Sequence, residues 1–118
     1  MAKRAAKPRR DGQLAERLRG KRVCICLGAG GVGKTTTSAA LALGLAERGQ
    51  KVAVVTIDPA ARLAGALGLK RLSGEPQAIE RSLLAEHGVD CKGELWAMML
   101  DSKGTFDEIV TRLAPSER

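Results

Sequence analysis

The sequence predicts an α/β fold built on a parallel sheet. Two compact apolar runs, KRVCICLG at 21–28 and KVAVVTI at 51–57, have the length and the β-branched content of buried strands. Between them, residues 34–48 form a largely apolar stretch followed by Gly49, which is typical of a helix and its C-terminal stop. A strand, a helix and a second strand in this order make a βαβ unit. The first two strands are therefore expected to lie parallel in one sheet.

The remaining elements are shorter. LWAMML at 95–100 predicts a third strand, and Thr105 with Glu108 matches a capping box that opens a last helix, FDEIVTRLA. Three further helices are predicted from apolar spacing and helix-start residues: DGQLAERLRG at 11–20, DPAARLAGALGL at 58–69 with its proline in the first turn, and AIERSLLAEH at 78–87.

The positive charge of the chain is concentrated at its N-terminus. The 118 residues carry a formal charge of +7, and residues 1–22 hold nine basic and two acidic side chains, whereas the rest is balanced. We interpret residues 1–20 as a largely disordered basic arm that includes the short helix, with contact to a polyanion as the alternative. A balanced domain with one Trp, one Phe and no Tyr offers no stacking platform, so nucleic acid is not an expected partner.

Cysteine usage and apolar patterning predict a cytoplasmic protein. The arm has no apolar segment of a secretion signal, no run reaches the ~18 apolar residues of a membrane span, and three cysteines suit a reducing cytosol. Cys24 and Cys26 are expected to be small apolar residues on one face of the buried first strand. His87 and Cys91 lie four apart, but two ligands do not make a zinc site.

The stretch GAGGVGKT at 28–35 has the spacing of a phosphate-binding loop, the G-x-x-x-x-G-K-[ST] template, between a predicted strand and a predicted helix. Glycines let the backbone approach phosphates, and consecutive N–H groups at a helix N-terminus form an anion nest. The Lys34 ammonium suits the β- and γ-phosphates, and the Thr35 hydroxyl suits Mg²⁺. The predicted nucleotide contacts are Gly28, Ala29, Gly30, Gly31, Val32, Gly33, Lys34, Thr35 and Thr36.

Two other interpretations fit this stretch of the sequence. A glycine-rich turn could match the template by chance, and GAGGVG also satisfies the weak dinucleotide fingerprint G-x-G-x-x-G. Lys34 and Thr35 favour a triphosphate with magnesium over a dinucleotide. The expected cofactors are therefore ATP and Mg²⁺.

Residues 22–118 resemble the arsenite-pump ATPases, the ArsA-like group, which includes ATPases that deliver tail-anchored membrane proteins. The resemblance is carried by GAGGVGKTTTSAALALGLAERGQKVAVVTIDPAARLAGALGL and by LWAMMLDSKGTFDEIV. It places the chain in the variant Walker A class of P-loop NTPases, with ParA and MinD. It implies a doubly wound parallel sheet, of which residues 21–118 form the N-terminal portion. The Walker B strand and the second switch are expected beyond this portion, which leaves turnover by this chain alone open.

The resemblance also assigns roles to single residues. Asp58 falls in the first switch segment, where the matching aspartate positions or activates the attacking water, so Lys34 and Asp58 are the catalytic candidates; capping of the next helix is the alternative for Asp58. Ala29 replaces a lysine that in this class reaches across a dimer. Ala61 and Arg62 replace His-Asn. Arg62 either supplies a substitute cation to the phosphates or covers the helix surface, and the surface role is favoured.

The expected function is magnesium-dependent ATP binding and hydrolysis that couples a nucleotide switch to a client or membrane partner. The expected partners are ATP, a second copy or the remainder of the same ATPase, and a client protein. The alternatives are a ParA- or MinD-like switch that controls DNA or membrane binding, and a nucleotide-binding fragment without turnover. Asp101 ends an apolar run as a Walker B aspartate does, but we interpret it as a helix-starting carboxylate.

Overall fold

The computed structural model describes residues 10–58 and 61–114. The expected disorder at the start of the arm, and the proline in the first turn of the third helix, fall on positions outside these ranges. Five helices and three strands occur within them: α1 (Arg10–Leu18), α2 (Lys34–Glu47), β1 (Lys51–Thr56), α3 (Arg62–Ala66), β2 (Gln77–Ala78), α4 (Arg81–Glu86), β3 (Glu94–Met99) and α5 (Ser102–Leu113).

The three strands form one mixed sheet in the order β1-β3-β2. β1 and β3 are parallel, with Lys51 opposite Glu94 at one end and Thr56 opposite Met99 at the other. β2 runs antiparallel to β3 through two residue pairs. The α/β class is confirmed, whereas a doubly wound sheet is not seen in the described ranges.

The predicted first strand is wrong. Residues 21–28 contain no strand, and the predicted parallel pair of 21–28 with 51–57 is replaced by the pairing of β1 with β3. Val23, Ile25 and Leu27 are 78 %, 74 % and 87 % exposed. A strand depends on a paired neighbour, and an apolar run does not specify which segment that neighbour is.

Because residues 21–28 do not form a strand, the surroundings of Cys24 and Cys26 also differ from the prediction. Cys24 is exposed and Cys26 half-buried, so the expectation that both are core residues is wrong. Residues 22–27 line an apolar cleft of about 600 Å³ together with residues 51–55 of β1 and Leu41 and Leu45 of α2. The segment therefore borders this cleft without strand pairing to β1, and Val23, Ile25 and Leu27 remain largely exposed.

The core lies between α2 and the sheet. Ala39, Ala42 and Ala46 form one buried stripe of α2, and their small side chains allow the helix to approach the strands closely. Leu63 of α3 and Leu95 of β3 are each 2 % exposed and are the largest fully buried side chains of the described residues. This packing fixes the end of β1 and the start of α3 relative to the N-terminal half of α2.

The interpretation of Asp101 as a helix-starting carboxylate is confirmed. Asp101 is the N-cap of α5, and its Oδ1 accepts a hydrogen bond from the Gly104 N–H at 3.0 Å. A Cβ on residue 104 would lie 2.6 Å from Asp101 Oδ2, so glycine permits this approach. α5 begins at Ser102, three residues before the predicted capping box at Thr105, because Asp101 already provides the cap.

One exposed polar cluster joins the first residues of β1 and β3. Lys51 Nζ lies 3.0 Å from Glu94 Oε2 and 5.4 Å from the centre of the Trp96 ring. The Trp96 indole N–H donates to Glu94 Oε2 at 3.0 Å. The pKa of Glu94 is lowered most by the hydrogen bond from Trp96, and the hydrogen bond and charge of Lys51 lower it further.

We expect this cluster to give a pH-dependent signal from the single tryptophan. Because the folded pKa of Glu94 is depressed, its contribution to stability is complete above the unfolded value of about 4.3 and is lost as pH falls through the folded value. Trp96 emission should therefore change at a midpoint below pH ~4.3. The transition should be absent in Glu94→Gln and retained in Glu47→Gln. An unchanged transition in Glu94→Gln would assign the signal to another group.

Candidate phosphate-binding site

The loop between residues 28 and 34 has a backbone that requires glycine at specific places. Gly31 has φ 73° and Gly33 has φ 88°, both in the left-handed region, where a residue with a Cβ costs about 1–2 kcal/mol. At Gly28 the limit is space, because a Cβ would lie 2.9 Å from Val32 Cγ2. The sequence thus dictates a tight turn that leads into α2.

The N-terminus of α2 is suited to an anion. Gly33 is its N-cap, so there is no side-chain cap hydrogen bond, and the first turn has no acidic residue. The first N–H groups of a helix have no acceptor within the helix, and the helix dipole places partial positive charge at this end. A phosphate at this position would accept hydrogen bonds from these N–H groups and would be stabilised by the positive end of the helix dipole.

Lys34 connects the two ends of the loop. Its Nζ donates a hydrogen bond to the Ala29 carbonyl oxygen at 2.6 Å, across five residues. Ser38 Oγ donates to the Lys34 carbonyl oxygen at 2.8 Å and secures the first turn of α2. Thr35 is half-buried and Thr36 is exposed. The ammonium and the two hydroxyl groups are consequently held on one turn of helix.

Asp58 lies two residues after the end of β1. Its N–H donates to Thr56 Oγ1 at 3.1 Å, and its Oδ2 accepts from the Arg62 guanidinium at 3.1 Å. The Asp58 side chain is 31 % exposed and that of Arg62 is 67 % exposed. Ala61, which precedes α3, has φ 55° and ψ 17°, and it is the one non-glycine residue with positive φ in the described ranges.

Residues of the loop line the same cleft as Thr56, Asp58 and Arg62, and this cleft has a volume of about 760 Å³. The predicted residues that line it are Gly28, Gly31, Gly33, Lys34, Thr35, Thr36 and Asp58, joined by Arg62 and Thr56. The other predicted contacts, Ala29, Gly30 and Val32, are exposed and do not line the cleft. Thr56 was missed by sequence reasoning, because nothing in a strand-end threonine marks it as the acceptor that holds a catalytic candidate.

The groups in this cleft fit a magnesium-bound nucleoside triphosphate. Backbone N–H groups, the Lys34 ammonium and the Arg62 guanidinium suit phosphate oxygens, and the Thr35 hydroxyl is a hard oxygen ligand. Within residues 10–58 and 61–114, no three His, Cys, Asp or Glu side chains are grouped to hold a metal ion by themselves. Mg²⁺ in protein sites is commonly held by few side chains together with substrate phosphates, which matches this composition.

None of the helices in the described ranges is both long enough and apolar enough to cross a membrane.

Comparison with known proteins finds relatives of three different names, each similar to part of this chain. The "Putative arsenical pump-driving ATPase" of Prosthecochloris vibrioformis is 42 % identical over 64 residues, which is 54 % of this chain and 16 % of that protein. The septum site-determining protein MinD of Neisseria meningitidis is 58 % identical over 38 residues, which is 32 % of this chain and 14 % of MinD. The ATPase GET3 of Malassezia globosa is 51 % identical over 45 residues, 38 % of this chain and 14 % of GET3.

The chain spans less than a quarter of the length of these relatives, since each match covers 14–16 % of the relative. The family model of the anion-transporting ATPases, in contrast, matches residues 21–114, which include the loop, Asp58, Arg62 and all three strands. Because this family model matches most of the chain, the chain belongs to the anion-transporting, ArsA-like ATPase family.

Proposed function

We propose that this chain binds magnesium ATP in the cleft between residues 28–36 and the end of β1, as the N-terminal portion of an ATPase. The observation that supports this most directly is the common cleft. It brings the loop glycines and Lys34 from one element together with Asp58 from another. The sequence motif alone accounts for the loop, but a carboxylate facing it across the cleft is what hydrolysis additionally needs.

Each residue then has a role that its position supports. Backbone N–H groups at Gly31 and Gly33 and the start of α2 hold the phosphates, and the Lys34 ammonium exchanges its bond to the Ala29 carbonyl for a phosphate oxygen. Thr35 would ligate Mg²⁺, which neutralises the charge on the phosphates. Asp58, fixed by Thr56, orients the attacking water or accepts its proton.

The coupling partner is proposed from the family and not from the cleft. The relatives are a putative arsenical pump-driving ATPase, a septum site-determining protein and the ATPase GET3, so the similarity does not single out one task. We propose a cytoplasmic nucleotide switch that acts on a client or membrane protein, together with a second copy or with further segments of the same ATPase. Ala29 places a methyl group where related loops carry a lysine. Stimulation by a lysine of the partner loop is therefore not part of the proposal.

Calorimetric titration of the full chain with ATP, with Mg²⁺ and with EDTA, tests the proposal. We expect binding with Mg²⁺ and about a 10-fold weaker affinity after chelation, because the metal neutralises phosphate charge beside Asp58. Phosphate release from the same samples separates an ATPase from a nucleotide-binding fragment without turnover. Absence of ATP binding by a chain whose circular dichroism shows folded structure would contradict the proposal.

A further inference from the structure

We propose that Arg62 determines the preference of the cleft for a nucleoside triphosphate over a diphosphate, by contacting the terminal phosphate. The inference rests on the proposed function, but it assigns to Arg62 a role that the loop motif does not contain. It also departs from the surface role that the sequence favours, because the guanidinium of Arg62 lies on Asp58 and borders the phosphate cleft.

The backbone that carries Arg62 is held in place by the core. The neighbouring residue Leu63 is 2 % exposed in the core, so the backbone at the start of α3 is fixed. The left-handed backbone at Ala61, φ 55°, turns the chain into α3 immediately after the switch segment. The Arg62 side chain is nevertheless 67 % exposed. A fixed backbone with an accessible guanidinium is the arrangement required for a side chain that meets a ligand.

The guanidinium of Arg62 can bind more than one acceptor. Arginine has five N–H donors in a planar fork, and the bond from one Nη to Asp58 Oδ2 at 3.1 Å uses one of them. The others can reach a second acceptor in the cleft. Phosphate matches such a fork as a carboxylate does, because it can accept two parallel charge-assisted hydrogen bonds.

The cleft has few positive charges to bind a triphosphate. The loop residues 28–36 contain one cation, Lys34, and Ala29 contributes only a methyl group. On the opposite wall, the Asp58 carboxylate alone would repel a polyanion. Its ion pair with Arg62 neutralises this wall and adds a second cation to the cleft, which suits the additional charge of the terminal phosphate. ADP lacks this terminal group, so the Arg62 contact should separate the two nucleotides.

The test is to measure the affinities of magnesium ATP and magnesium ADP for the full chain by calorimetry. In Arg62→Gln we expect about a 10-fold loss for ATP and less than about a 2-fold change for ADP, since a hydrogen bond between charged groups is lost only with ATP. Arg62→Lys should restore part of the ATP affinity. Arg48→Gln is the matched control, because Arg48 bonds to the Gly44 carbonyl and lies outside the cleft.

Equal losses for ATP and ADP in Arg62→Gln, with a lower thermal midpoint, would show that Arg62 only stabilises α3 and would overturn the inference. Unchanged affinities for both nucleotides would also overturn it. In either case the proposed function stands if the original chain binds ATP and Lys34→Ala does not. If the original chain binds neither nucleotide, the proposed function itself fails.

Discussion

Replacing Lys34 with alanine should weaken magnesium ATP binding by about 100-fold, the largest effect that we expect at the cleft. Lys34 is the one cation of the loop, and it lies at the start of α2, where the helix dipole favours an anion. Its removal eliminates a charge-assisted hydrogen bond to the phosphates, and no other loop side chain can replace it. Calorimetric titration of the original and variant chains with magnesium ATP measures the change.

The variant also removes the bond from Lys34 to the Ala29 carbonyl, so a control for loop structure is needed. Lys34→Arg keeps the charge but changes its shape, and it should retain more affinity than Lys34→Ala. Lys70→Ala removes an exposed lysine away from the cleft and should bind as the original chain does. Equal affinities of Lys34→Ala and Lys70→Ala would contradict the role of Lys34.

The elements that sequence reasoning predicted well are those whose determinants are local. α2 covers residues 34–47 of the predicted 34–48, and Gly49 has φ 90°, as expected of a glycine that ends a helix. β1 and β3 match the predicted runs to within one residue at each end. In each case the apolar period, the stop signal and the burial on α2 or the sheet favour the same structure.

The errors occur where the structure depends on a distant partner. Residues 21–28 are an apolar run like β1. However, β1 pairs in parallel with β3, whereas residues 21–28 pair with no strand. Pattern alone gives a segment its preference for a strand, whereas pairing depends on which edges the rest of the chain supplies. The error at Thr105 is of another kind, because both capping signals are local: Asp101, four residues earlier, accepts the Gly104 N–H and starts α5 before Thr105 is reached.

The candidate site could be predicted only in part, because some of its determinants are local in sequence and others are not. The loop is encoded in consecutive residues, so Gly28, Gly33 and Lys34 could be read directly. The sequence shows only that Arg62 lies four residues after Asp58, and their ion pair forms before the helix, since Asp58 precedes α3 and Arg62 is its first residue. The left-handed backbone at Ala61 has no sequence signal, because alanine is not a residue that favours it.

Gly93→Ala should lower the free energy of unfolding by about 3 kcal/mol, at the upper end of the cost of overpacking. A Cβ at residue 93 would overlap the Gln50 carbonyl oxygen and lie 2.7 Å from both Gln50 N and Gly49 C. These are backbone atoms, so no side-chain rotation relieves the clash. The Gly93 N–H also donates to the Ala46 carbonyl at 2.8 Å, and the next N–H, of Glu94, donates to Gln50 at 3.1 Å.

The loss should be specific to this crossing of backbones, at which the turn between α2 and β1 meets the start of β3. Gly65→Ala is the matched control, because a Cβ there meets nothing within 4 Å and alanine in a helix gains about 0.5–1 kcal/mol over glycine. Urea denaturation followed by Trp96 fluorescence reports on both variants, since Trp96 lies on β3 three residues beyond Gly93. If Gly93→Ala unfolded at the same urea concentration as Gly65→Ala, the α2–β1 turn would not be in contact with β3. The contact of this turn with β3 would then not stabilise the parallel pairing of β1 with β3, which positions Asp58 at the cleft lined by the loop.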